Sequence, residues 1–345
     1  PQAVKRMIPA FLERSIERPT TASPVTPYRI ALFRQIADDS LALPALRAAL
    51  QRYPAESLKA RGESDRLPMV MSGFSVAGAN GALGLLDTLV RVSTDVDSIM
   101  FGTTAPTKWI AATYAVTMRM GAGLPASPAD RRLLDRSLAG MDQMSSRYAG
   151  QVRAQSIVLP YMAFLSTGDT TFAAMARRWA TPPNAPPAAN VLPELTALIA
   201  VKSGDTAGAA RLMRDFPSAD SLKNPNVPIG MAGLRIFARA QLAADLGDLK
   251  RAAGTYEAID PRRFQGVGMV EPGFATYTRS FLERGKVYEA LGERQKAIAA
   301  YDEFVRRWAK ADAALQPQVA EARAAAARLR DAPASVPVGV KPGRE

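Results

Sequence analysis

The chain has 345 residues, 48% of them hydrophobic, with 44 Lys+Arg against 32 Asp+Glu, a net charge of +12 and a pI near 10.1. It contains no cysteine and no histidine. Those absences exclude Ser-His-Asp and Cys-His nucleophilic catalysis, zinc sites built on Cys or His, c-type haem attachment and disulfides, and they remove the usual agent of proton transfer near neutral pH.

The apolar content suffices for a sizeable core, in one elongated array or in two domains. The basic balance favours acidic partners: nucleic acid, anionic lipid headgroups or an acidic protein surface. No apolar run reaches the ~18–20 residues needed to cross a bilayer. A start at Pro1 reads as a processed or truncated end. A thiol-free chain suits either side of a membrane.

Strand signals are scarce. Ala, Leu, Arg and Met dominate and apolar residues recur every three or four positions, which predicts an all-α protein. At the start, Val4, Met7, Ile8, Phe11 and Leu12 share a helical face ringed by Lys5, Arg6 and Arg14 and interrupted by Pro9. That pattern fits a first core helix better than a helix lying on an anionic membrane or docked to a partner. Residues 18–27 read as a loop, followed by helices at about 27–37 and 43–53. Asp38 and Asp39 read as a solvated helix end.

Gly73 to Gly84, G-F-S-V-A-G-A-N-G-A-L-G, has Gly73 and Gly78 at P-loop spacing, but Ala79 and Asn80 replace the Lys and Ser/Thr that phosphate binding needs. The stretch reads as a tight helix–helix contact or hinge through small residues. Asp95 and Asp97 do not start a calcium loop, since Met100 and Pro106 occupy the positions of the required Gly and Glu. Helices are predicted at 107–120 and 128–147, the second opened by Ser127, Pro128 and Asp130: a cap, a proline at the first helical position and an acid in the first turn.

Beyond residue 150 one hinge recurs. The segments are L-S-T-G-D-T-T-F-A-A-M at Gly168, V-K-S-G-D-T-A-G-A-A-R-L-M at Gly204, A-D-L-G-D-L-K-R-A-A-G-T-Y at Gly247 and E-A-L-G-E-R-Q-K-A-I-A-A-Y at Gly292. Each is a helix, a glycine, an acid and a second helix, with Ala five residues after the glycine: Ala173, Ala209, Ala252 and Ala297. Tyr256 and Tyr301 stand nine after theirs. A left-handed Gly ends the first helix, the acid favours the next N-terminus, the small Ala permits close approach, and the aromatic fills the remaining space. The spacings are 36, 43 and 45 residues, the longer ones absorbed by loops at 218–230 and 262–274. Residues 181–190 form a stiff connector, 313–330 a terminal capping helix with Pro317 near its start, and 331–345 a disordered tail.

The pattern resembles the tetratricopeptide repeat, clearest over 233–311. Phe281, Gly285, Tyr288, Ala297 and Tyr301 stand at its signature positions in the last unit, and Ala240, Gly247, Ala252 and Tyr256 in the one before. Arg284 departs from the usual Leu, and Ala309 stands near the place of the closing proline. The resemblance implies an irregular α-solenoid of antiparallel helix pairs whose first helices line a protein-binding groove. At the positions where one subclass clamps a C-terminal carboxylate, this chain has Val158 and Met162, Glu194 and Leu198, Phe237 and Gln241, Leu282 and Lys286, which excludes that clamp. The groove-facing polar candidates for partner binding are Lys202, Gln241, Arg279 and Lys286.

Residues 1–150 are expected to be an N-terminal helical region of degenerate repeats, and 151–330 the repeats with their cap. The expected function is a non-catalytic scaffold or accessory subunit of a larger, membrane-associated assembly, with acidic protein surfaces as partners. No cofactor, metal, small-molecule substrate or nucleic acid is expected; the basic pairs Arg131-Arg132, Arg177-Arg178, Arg262-Arg263 and Arg306-Arg307 are scattered, without interleaved aromatics. The resemblance extends to repeat segments that end long bacterial signalling proteins. A regulatory region of such a protein is the alternative, and an extracytoplasmic, periplasmic location is expected ahead of a cytoplasmic one.

Overall fold

A computed structural model describes residues 43–44, 46–47, 50, 73–74, 76–93, 97–100, 103–147, 158–180, 192–216, 232–259 and 273–332. The N-terminal amphipathic stretch, the 18–27 loop, the 27–37 helix, the 181–190 connector, the 218–230 loop, most of 262–274 and the tail beyond Ala332 lie outside these residues.

The described residues are helical, with one short hairpin. Helix α1 (Leu85–Ser93) precedes β1 (Asp97–Met100) and β2 (Thr103–Pro106). The two strands pair antiparallel, Asp97 opposite Pro106 and Met100 opposite Thr103. Sequence reasoning missed this hairpin because strands of four residues are too short to print a period of two. Next come α2 (Thr107–Gly121) and α3 (Pro128–Arg147), close to their predicted bounds. The remaining helices are α4 (Val158–Thr167), α5 (Thr170–Ala180), α6 (Leu192–Lys202), α7 (Thr206–Arg214), α8 (Ala232–Asp245), α9 (Leu249–Glu257), α10 (Gly273–Ala290), α11 (Arg294–Trp308) and α12 (Gln316–Asp331).

Helix α3 begins as its sequence dictates. The Asp130 amide donates to Ser127 Oγ at 3.1 Å and the Ser127 amide donates back to Asp130 Oδ2 at 3.1 Å, a reciprocal cap with Asp in the role usually taken by Glu. Arg119 at the end of α2 donates to Asp130 at 2.7 Å and to Asp87 at 3.0 Å, tying three helices together. Burial opposes the Asp130 carboxylate, but the Ser127 hydroxyl and Arg119 prevail and hold its pKa below the ordinary value.

The glycine hinges share one backbone. Gly204, Gly247 and Gly292 have φ of 85°, 77° and 74°, the left-handed region where a Cβ is strained. After each, the acid's amide donates to the carbonyl five residues back: Asp205 to Ala200 at 2.8 Å, Asp248 to Ala243 at 2.9 Å and Glu293 to Tyr288 at 2.8 Å. This is the Schellman closure of a helix end. The acid then serves as cap of the next helix. Asp205 Oδ1 accepts from the Gly208 amide at 2.7 Å and Asp248 Oδ1 from the Arg251 amide at 3.2 Å, whereas Glu293 makes no such bond. Two hinges that the repeat pattern did not include close the same way. Leu124 donates to Arg119 at 3.1 Å after Gly123, and Ala82 donates to Ala77 at 2.9 Å after Gly81. At Gly168 the closure differs: the Asp169 amide donates to Thr167 Oγ1 at 3.1 Å.

Behind the hinges, Ala173, Ala209, Ala252 and Ala297 are all buried at 1% exposure or less. In the last hairpin a Cβ on Gly285 would stand 2.4 Å from the Tyr301 ring, so only glycine admits that aromatic. In the hairpin before it Tyr256 and Ala240 stand at the equivalent positions, and both are completely buried. Phe237 lies edge-on to Tyr256 at 5.5 Å, adding a quadrupole term to the burial.

The glycine-rich stretch is a seam between distant parts of the chain. Ala79 O accepts from Thr278 Oγ1 at 3.0 Å and from Trp308 Nε1 at 3.1 Å. The Asp312 amide donates to Gly81 O at 3.0 Å, and Asp312 Oδ2 accepts from the Gly84 amide at 2.6 Å. A Cβ on Gly81 would meet Ala311 at 2.7 Å. Helix α2 thus lies against α10 as well as against α4, a contact that a strictly nearest-neighbour array does not make. One connected set of buried apolar residues runs from Phe74 to Ala326, with Trp179, Trp308, Tyr161 and Tyr256 its largest members.

Candidate functional site

The most concentrated polar feature inside the molecule is a buried ion triad. Glu194, in the first turn of α6, has 3% of its side chain exposed. Arg235 and Arg239, one turn apart on α8, have 5% and 7%. Arg235 donates from Nε to Glu194 Oε2 at 2.7 Å and from Nη2 to Oε1 at 2.6 Å, a bidentate fork. Arg239 donates from Nε to Oε1 at 2.8 Å, and its Nη2 reaches the same oxygen. The Arg239 guanidinium also lies 5.1 Å from the Phe216 ring centroid. Tyr161 of α4 is buried beside them; burial first, then the charge of Glu194, push its hydroxyl pKa up.

Chemically this cluster holds charge and moves no protons, because the guanidinium groups stay protonated. Two buried cations and one anion are costly to desolvate, so the triad ties α6 to α8 more than it stabilises the fold. Sequence analysis placed Glu194 at a groove position and did not connect it to the arginines. The partners are 41 and 45 residues away, and no periodic signal joins them.

Three of the four predicted binding residues are already engaged with other side chains. Gln241 Nε2 donates to Asp245 at 3.0 Å while its Oε1 accepts from the Tyr256 hydroxyl at 3.2 Å. Arg279 donates to Glu283 at 3.2 Å and lies 5.5 Å from the Phe237 ring centroid. Lys286 reaches Glu283 at 3.9 Å and Glu321 at 3.3 Å. Their polar groups are therefore engaged within the protein, partly on their own helices and partly on α9 and α12. Lys202 stands apart. It is exposed at the end of α6, its Nζ 5.9 Å from the Phe164 ring centroid and lying over Gly168. Phe237 and Leu282, also read as groove positions, are buried at 7% and 2% exposure.

An open groove of about 470 Å³ lies between α6 and α7. Thr196 and Ala200 line it from α6, and Arg211, Leu212 and Arg214 from α7, with Asp205 and Asp215 at the two ends of α7. Arg177 of α5 reaches the groove edge, donating to Thr196 Oγ1 at 3.5 Å. Arg211 and Arg214 have no hydrogen bond or ion pair among the described residues. The sequence carried a signal for them that went unread: ten residues after the hinge glycine stand Arg178 and Arg214 in the earlier hairpins but Glu257 and Asp302 in the later ones.

Among the described residues no group of three or more Asp and Glu could hold a metal ion, and no helix is long and apolar enough to cross a membrane. No family model, no curated protein and no solved structure matches the chain.

Proposed function

We propose that the chain is a non-catalytic scaffold or accessory subunit, an irregular tetratricopeptide-like α-solenoid that holds protein partners of a larger assembly. One observation carries the reading. The same left-handed glycine closure recurs after Gly81, Gly123, Gly204, Gly247 and Gly292, each time turning one helix back on the next. A chain that repeats one supersecondary unit builds extended surface from local contacts, and extended surface is what partner binding uses. The seam between Ala79 and Trp308 adds to this by bracing the array across its length, which suits a part that must present surfaces at fixed positions. The composition agrees, since histidine and cysteine are absent and the polar interior is an ion triad that transfers no proton.

The test is isolation of the intact native protein with its companions, followed by chemical cross-linking and mass spectrometry. Stoichiometric companions cross-linked to α4–α12 are the expected result. A substrate turned over by the isolated chain, with turnover lost on a single-residue change, would overturn the reading.

A further inference from the structure

We propose that residues 308–318 are a clasp between the two ends of the array: they hold α1 and α2 against α10 and α12, and when the clasp is loosened α1 and α2 part from that end while α4–α9 keep their packing. The inference concerns how the array is closed and holds whether or not the chain carries partners.

The hinges carry it. After Gly204, Gly247 and Gly292 the turn is completed locally. The glycine carbonyl accepts from the amide two residues on at 2.9–3.0 Å, an acid stands next in sequence, and a Cβ on the glycine would meet nothing within 4 Å. Gly81 makes the same turn but is followed by Ala82, Leu83 and Gly84, with no acid. Asp312 supplies what is missing from 228 positions away. Its carboxylate accepts from the Gly84 amide, just ahead of α1, at 2.6 Å, the capping role that Asp205 and Asp248 fill in their own hairpins. Its amide donates to Gly81 O at 3.0 Å, the carbonyl that the later hinges satisfy from within. Trp308 and Thr278 donate to Ala79 O beside it. At Gly123 the clasp acts again: Gln318 Nε2 donates to Ala122 O at 3.0 Å and would stand 3.0 Å from a Cβ on that glycine. Both early hinges therefore take polar partners from 308–318, and the three later ones close without it.

The rest of the seam is smooth. Gly78 faces Ala275 and Gly121 faces Thr276, with room for no more than a Cβ at 3.4 Å and 3.1 Å from the opposite atoms. Surfaces of this kind separate without disengaging interlocked side chains. Trp308 and Leu315, completely buried over Gly81, belong to the clasp itself. Helix α2 also packs on α1, α3 and α4, so release from α10 leaves it with neighbours. An array built from nearest-neighbour contacts loses its one closing contact without losing the others. A ligand or modification that acts on the clasp would shift this balance at the opposite end of the chain.

The experiment measures distances between nitroxide labels on the full chain by pulsed electron resonance. The chain has no cysteine of its own, so Arg91→Cys on α1 with Ala320→Cys on α12, both exposed, report the closure. Ala207→Cys with Ala299→Cys, exposed on α7 and α11, report the rest of the array. D312A/Q318A removes two clasp bonds at partly exposed side chains and leaves the buried core intact. It should add a longer distance to the first pair and leave the second unchanged. Amide exchange in 77–86 and 118–124 should quicken by at least about tenfold, and that in α8 and α9 by less than about twofold. D312N/Q318A, which keeps an oxygen to accept from Gly84, should fall between D312A/Q318A and wild type. Exchange that rises equally in α8 and α9 would make the seam part of one cooperative core and overturn the proposal. Unchanged distances and exchange in D312A/Q318A would overturn it as well. Neither result touches the scaffold reading, which the isolation of companions decides.

Discussion

The hairpins at Gly204 and Gly292 have the same hinge and treat charge in opposite ways. In α10–α12 the ion pairs are made within the protein: Glu303 with two arginines, Glu289 with Arg328, Asp302 with Arg330, Glu283 and Glu321 with Lys286. In α6–α7 the charge is divided between Glu194, buried against two arginines of α8, and Arg211, Arg214, Asp205 and Asp215 around an open groove. The repeat unit therefore specifies the turn and the helix contact, not the electrostatics. The last three helices close several ion pairs among themselves, whereas Arg211 and Arg214 pair with no carboxylate among the described residues.

The largest expected effect tests the buried half of that contrast. Glu194→Leu removes the carboxylate that two buried guanidinium groups share and should cost about 3–5 kcal/mol in denaturant unfolding, whereas Glu303→Gln, among partly exposed pairs in α11, should cost no more than about 1 kcal/mol. Similar losses at both positions would erase the distinction.

Next comes the packing of the last hairpin. Gly285→Ala drives a Cβ to 2.4 Å from the Tyr301 ring and should destabilise by about 1–3 kcal/mol, while Gly254→Ala in α9, with nothing within 4 Å, should stabilise by about 0.5–1 kcal/mol. The pair of melting curves should move in opposite directions. Trp308→Phe removes one of the two hydrogen bonds to Ala79 O and should cost about 1 kcal/mol; hydrogen exchange should show the loss in the 76–93 segment as well as in α11.

A smaller effect belongs to the hinge at Gly168. The Thr171 hydroxyl and amide, aided by Arg131, outweigh desolvation and hold the Asp169 pKa at about 2 against an ordinary 3.8. A carboxylate depressed in the folded state contributes stability above its unfolded pKa and loses it as the pH falls through the folded value. Wild type should lose this contribution between about pH 4 and pH 2, and Asp169→Asn should flatten the stability profile in that window. Asp169 is partly buried and its partner Arg131 more exposed, so solvent screening limits the amount to about 1 kcal/mol. The smallest effect is at the groove: R211A/R214A should leave the unfolding free energy within about 0.5 kcal/mol of wild type, since a weak helix-end interaction is lost and helix propensity is gained.

The local devices were legible because each depends on residues close in sequence. Gly292 and Glu293 announce a turn, Ser127 and Asp130 a helix start, and Ala297 a close approach, whatever the rest of the chain does. The predicted binding residues were legible only as polar groups on first helices. Gln241, Arg279 and Lys286 turn out to be engaged by Asp245 and Glu283 on their own helices and by Tyr256 and Glu321 on others. Arg211 and Arg214 were overlooked because an Arg in the last turn of an amphipathic helix reads as ordinary solvation.

The amino-acid sequence by itself determined a helical chain with left-handed glycine turns and buried alanines behind them, since φ preference, capping and helical period act over a few residues. Only the tertiary structure decided that Ala79 meets Thr278 and Trp308, and that Glu194 meets Arg235 and Arg239. Those contacts join residues 41 to 229 positions apart, where no periodicity links the partners and the desolvation of a charge selects its pairing only once the helices have assembled.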